Sequence, residues 1–276
     1  MKKLNLFVTL SLLLSVFFVA CEEQEEVIPT LQEVPVDVLK KLESSGFNVT
    51  DWIPIKFEDG YIVEGDIFLS YKDIMSSDQP DDGITVTSKQ YSTDNLVSTN
   101  GNRTITVFVS SRFNSATSAG VDLAIQRYND ENLEINFQRV NSSNGADIRI
   151  TRLNFFLEFF GVLGSAGFPT NAGDPFNQIS LNGRLSRLGF DTGGIATIVS
   201  HEMGHCIGFR HTDFFDRSIS CGGATSNEGD GGVGANQIPG TPSGASLADG
   251  SWMLACSDGG DRPFNNDDKT ALDFLY

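Results

Sequence analysis

His201 and His205 stand four positions apart in His201-Glu202-Met203-Gly204-His205, a spacing that sets two side chains on one face of an α-helix. Both imidazoles can then reach a single ion. Glu202 follows the first histidine directly, so its carboxylate lies beside such an ion without ligating it, placed to take a proton from a water on the metal. Gly208 tolerates positive φ and ends the helix, which lets the chain turn and bring His211 round as a third ligand. Three neutral imidazoles plus a water make an open tetrahedral site of the kind zinc prefers. These are all three histidines of the chain, so an incidental surface pair is a poor account of them.

The residues around them must form the helix that presents this face. Asp191-Thr192 is an N-terminal cap signal, and Ile195, Ile198, Val199 and Cys206 follow at helical spacing. Residues 104–109, 133–140, 147–153 and 178–182 read as strands, and residues 115–129 as a helix with Val121, Ala124, Ile125 and Tyr128 inward. Residues 155–168 are apolar and glycine-rich, and their aromatics read as core. Near the chain's end, Ala271, Leu272 and Leu275 follow Asp267-Asp268 as a last helix. A short helix over 36–42 and a strand over 61–69 precede a boundary near residue 100. The partial segregation of strands and helices predicts an α+β domain over 101–276, behind an N-terminal segment over 36–100.

The stretch HEMGHCIGFRH resembles the metzincin signature HExxHxxGxxH and is most similar to the bacterial "HEIGH" metallopeptidases. The resemblance implies a twisted mixed sheet, an active-site helix, a C-terminal helix and a methionine turn beneath the metal, for which Met253 is the best match. It implies a zinc endopeptidase in which Glu202 activates the metal's water, with the substrate lying extended along an edge strand. Leu163-Gly164-Ser165-Ala166-Gly167 sits where that edge belongs, and reads equally as an apolar loop. One departure matters: several metzincins place a tyrosine two residues past the turn methionine, and here that residue is Ala255. The stretch Glu64-Gly65-Asp66-Ile67 is similar to the propeptide of astacins, which implies that Asp66 ligates the zinc and holds the enzyme latent. It reads equally as part of a spacer strand with Glu64 and Asp66 facing solvent.

The 276-residue chain has 39% hydrophobic residues, enough for one good-sized core, and a net charge of −17, which repels phosphate backbones and excludes a nucleic-acid partner. Lys2 and Lys3 precede an apolar run over 6–20 that is short for a membrane span and fits a secretory signal. It ends at Cys21 in a pattern resembling a bacterial lipobox, so residues 1–20 read as a lipoprotein signal, Cys21 as the lipidated residue and 21–35 as an acidic tether. The implied location is the outer membrane or cell surface, or the periplasm or medium without lipid.

Export also permits disulfides. Of the remaining cysteines, Cys221 and Cys256 lie in loop-like sequence, which favours a bridge between them with Cys206 as a buried hydrophobe; the spacing alone leaves the pairing open. Asp230, Asp249, Asp258, Asp261, Asp267 and Asp268 offer oxygen ligands for calcium without any EF-hand spacing, and solvated loops explain them better. Asp213 is a candidate to orient a ligand histidine, or only a turn residue. Two rival readings are a surface binding protein or adhesin that keeps the fold without turnover, and a hydrolase of non-peptide substrates. Glu202 argues against the first, because a purely structural site has no use for that base.

Overall fold

The computed structural model describes residues 33–76, 90–242 and 244–276; the expected signal, Cys21 and nearly all of the acidic tether lie outside them. Helix α1 (Val36–Ser44) buries Val38 and Leu42 and gives way at Gly46, whose φ of 93° ends the turn. Strands β1 (Ile55–Phe57), β2 (Gly60–Val63) and β3 (Ile67–Ser70) then form an antiparallel meander, followed by α2 (Tyr71–Ser76). The single strand expected over 61–69 is in fact a hairpin. Glu64 and Gly65 take φ of 53° and 94°, left-handed values that reverse the chain, so Asp66 stands at the tip between paired Val63 and Ile67.

After β4 (Tyr91–Ser92) come β5 (Arg103–Val109), whose inward residues alternate, and α3 (Ser115–Asp130), capped by the Asn114 side chain. Then follow β6 (Ile135–Val140), β7 (Ile148–Arg152), α4 (Phe155–Phe159), β8 (Gly164–Ala166) and β9 (Gln178–Leu181). Helix α5 (Thr192–Ile207) carries the first two histidines, and α6 (Ser218–Cys221), β10 (Asn236–Gln237) and α7 (Asn266–Leu275) complete the described strands and α-helices. One sheet of eight strands runs β1-β2-β3-β8-β9-β7-β5-β6, parallel from β9 to β6 and antiparallel at β8/β9 and through the N-terminal meander. The fold is thus α+β with a mixed sheet.

Helix α5 lies against this sheet and against α3, with every residue from Gly194 to Ile207 buried. Its approach to α3 depends on Gly120, where a Cβ would stand 2.4 Å from Ile195 Cγ2. The main core gathers Ile105, Val107, Ile150, Ile179, Val199 and Met203 between sheet and helices. A second cluster, with Val38, Leu42, Phe47, Val63 and Ile67, lies within the N-terminal segment and packs on Phe168 and Val233. The aromatic run at α4 departs from its expected place in the core: Phe155 and Phe159 are 69% and 56% exposed. A five-residue helix has too little surface to bury the three phenylalanines Phe155, Phe156 and Phe159, and Leu157 takes the inward position.

Candidate active site

Helix α5 starts where Asp191 accepts the Gly194 amide and stops at Gly208, which takes φ 105°. Between these ends the i, i+4 pair His201 and His205 points one way, and the turn at Gly208 carries His211 back toward them. The ring centroids lie 4.7 Å apart for His201 and His205, and 4.9 Å for His205 and His211. The tip of the β2–β3 hairpin delivers Asp66 to the same point. Its Oδ2 is 3.3 Å from His201 Nε2 and 3.2 Å from His211 Nε2. One donor atom from each of these four residues falls within 4.8 Å of all the others.

The cluster is oriented from behind. Each Nδ1 meets an acceptor, namely the Trp252 carbonyl at 2.9 Å for His201, the Phe209 carbonyl at 2.8 Å for His205 and Glu228 Oε1 at 2.5 Å for His211. A carbonyl oxygen can only accept, so Nδ1 carries the hydrogen and Nε2 keeps its lone pair for the centre. His205 Nε2 and Asp66 Oδ1 are buried with no hydrogen-bond partner. Orphaned donors converging on one point are what a bound cation would satisfy, so the residues fit a metal ion, and three imidazole nitrogens suit zinc.

Met253 is buried against α5 at Gly204, between the positions of His201 and His205. A Cβ at Gly204 would come 2.6 Å from Met253 Sδ, so the glycine between the two histidines is what lets the turn close up. That turn also supplies the Trp252 carbonyl to His201 and the Met253 carbonyl to the Thr212 amide. Cys221 and Cys256 are disulfide-bonded with Cα atoms 5.1 Å apart, tying the chain after His211 to the chain after Met253, and Cys206 is a buried free thiol. Ala255 lines the cleft, and Tyr276 is buried with its hydroxyl bonded to the Ile207 carbonyl, away from the metal cluster.

Glu202 is buried, and its Oε2 has no partner. Burial, then the nearby Asp66, raise its carboxyl well above the ordinary range, against the pull of His211. Strand β8 passes close over it, since a Cβ at Gly164 would stand 2.4 Å from Glu202 Oε1. Burial would also raise Asp66, yet His211 and His201 together hold it well below its usual value. The solvent-facing alternative for Glu64 and Asp66 does not hold: Glu64 is buried and Asp66 points at the imidazoles. Nor does β8 offer a free edge, because β3 pairs with it and the Ala166 amide donates to the Asp66 carbonyl.

Sequence reasoning missed the group that holds His211. Asp213 accepts from Ser220 and from the Ala255 amide, and so braces the loop rather than a ligand. Glu228 takes the orienting role. It is flanked by Arg210 and Arg217, all three buried. Burial works against its charge, but His211, Arg217 and Arg210 hold its carboxyl far below the ordinary value. Its position in the run Ser-Asn-Glu-Gly-Asp-Gly-Gly carries no periodic signal, so only the folded loop reveals it. The candidate calcium ligands do not gather: Asp258 pairs with Arg262, Asp261 with Arg127, and Asp268 is buried at the start of α7.

The family described as dual-action HEIGH metallo-peptidase matches residues 61–276. Among solved structures, high choriolytic enzyme 1, a hatching-enzyme zinc-protease of the medaka fish Oryzias latipes, is 18% identical over 66% of this chain and 93% of that one, with a TM-score of 0.39. Two structures of myroilysin are each 15% identical. One covers 64% of this chain and 95% of its own with a TM-score of 0.39, the other 87% and 95% with 0.38. No curated protein matches the chain.

Proposed function

Because the chain belongs to the dual-action HEIGH metallo-peptidase family, we propose that it is a zinc-dependent endopeptidase made in a latent form. The observation that carries this reading is the convergence of three Nε2 atoms, each backed by an acceptor on its Nδ1, beside a buried carboxylate with no partner. His201, His205 and His211 would hold the ion. When bound there, zinc supplies Lewis acidity, which makes a water more acidic and a peptide carbonyl more electrophilic. Glu202 takes the proton from the attacking water and delivers it to the departing amine. Glu228 and the Trp252 and Phe209 carbonyls keep the imidazoles aimed.

Residues 36–100 act in this reading as a propeptide-like segment and 101–276 as the catalytic domain. Asp66 fills the fourth position at the cluster while β3 fills the edge of β8, so both the nucleophile's place and the substrate's are taken. An extended peptide takes that edge once the segment leaves. The leader and Cys21 support export and lipid anchoring at the surface of a bacterial outer membrane. The discriminating experiment is Glu202→Gln. Turnover of a peptide library should fall by about 10²–10⁴-fold with zinc still near one per chain, and undiminished turnover would remove the base assignment.

A further inference from the structure

Glu64 stands at φ 53°, a backbone region where glycine is the cheaper residue, and its side chain does not reach solvent. Its Oε1 accepts the Asn48 amide at 2.7 Å, and its Oε2 lies 3.5 Å from Nε of Arg217, whose Nη1 is 3.4 Å from His211 Nδ1. Trp52 of the same segment lays its ring on the Arg217 guanidinium, 4.6 Å from centroid to carbon. The N-terminal segment thus covers Arg217 with a carboxylate and an aromatic face.

Behind Arg217 the charges do not balance. Arg210 and Arg217 are both buried, and among the described residues beyond 100 Glu228 is the one carboxylate paired with them. Glu64 makes the count even. Removing the segment uncovers Arg217 at the wall of the cleft, beside the third histidine, and leaves it sharing Glu228 with Arg210.

We infer that Arg217 is a carboxylate-binding subsite, which Glu64 occupies in the latent chain and an acidic side chain of the substrate occupies in the active one. The inference rests on the peptidase reading above for its second half only. Arg217 and Glu64 both line a cavity of about 480 Å³ that opens to solvent, so a small ion can reach the guanidinium.

The test uses the full chain, metal-free, with Glu64→Ala opening a hole the size of an acetate ion. Acetate should raise the unfolding midpoint of this variant by about 2–4 °C over chloride at equal ionic strength once it exceeds its Kd about tenfold. The gain should shrink with Arg217→Lys, which keeps the charge but not the fork, and vanish with Arg217→Met. A Glu64→Ala chain that gains nothing from acetate overturns the subsite. In the zinc-loaded Glu64→Ala/Asp66→Ala chain, peptides with Glu near the scissile bond should be cleaved at least about tenfold more efficiently than their Gln counterparts. Adding Arg217→Met should erase that ratio. Cleavage with no acidic preference at any position overturns the inference and leaves the peptidase standing. Acetate binding as expected, with no cleavage even after the chain has been cut between β3 and β4 and residues 36–76 released, supports the anion site and sinks the peptidase reading instead.

Discussion

At the scale of single residues, the site is a set of donors whose orientation is fixed one layer out. Glu228 does this for His211 at 2.5 Å. Glu228→Gln keeps the shape but not the charge, and zinc affinity should drop by about 10–100-fold in competition with a chelator. Unchanged affinity would assign the orientation to the backbone alone. Asp66→Ala removes the carboxylate from the cluster while leaving β3 on β8. The uncut chain should therefore gain activity only partly, by about tenfold, the equivalent of about 1.4 kcal/mol. Turnover no greater than that of the unaltered precursor would show that Asp66 does not enforce latency.

At the scale of elements, the loop beyond His211 is held by one covalent tie and one charged cluster. The Cys221–Cys256 bridge spans 35 positions, and its removal by Cys221→Ser/Cys256→Ser should lower stability by about 3–4 kcal/mol in denaturant unfolding. A loss below 1 kcal/mol would mean that the Arg210–Glu228–Arg217 cluster suffices. The ligand helix was the most legible element, because its cap, apolar period, histidine spacing and terminal glycine all lie within Asp191 to His211. The reversal at Glu64 was not legible: residues 61–69 alternate well enough to read as one strand, and it is Glu64, a non-glycine residue at positive φ, together with Gly65 that breaks them. Exposure of Phe155 and Phe159 escaped for the opposite reason. Composition speaks for burial, whereas the shortness of α4 decides against it. Glu228 and Arg217 act through a glycine-rich loop whose path is set by tertiary contacts, so spacing holds no trace of them.

At the scale of the whole molecule, the methionine turn, α7 and Gln90, just before β4 in the N-terminal segment, meet at Asp268. Its carboxylate accepts from Gln90, Ser251 and the Asn265 and Trp252 amides, yet burial pushes it up to about 7. A carboxyl raised on folding binds a proton that the unfolded chain has released near pH 4, so this contribution is complete below about pH 4 and is lost as pH rises through about 7. Relative to Asp268→Asn, the unaltered chain should lose on the order of a few kcal/mol between pH 4 and pH 8. Parallel stability curves for the two would place the titration elsewhere. The eight-stranded sheet has a last implication. In the proposed reading, its strands β1 to β3 come from the part of the chain that leaves before full turnover. Their departure strips Gly164–Ala166 of a neighbour and bares unpaired backbone amides, the kind of rim along which molecules stick to one another. In that reading the cover over the cleft is also a guard against clumping, and an opened molecule should stay dispersed best while a substrate lies along that rim.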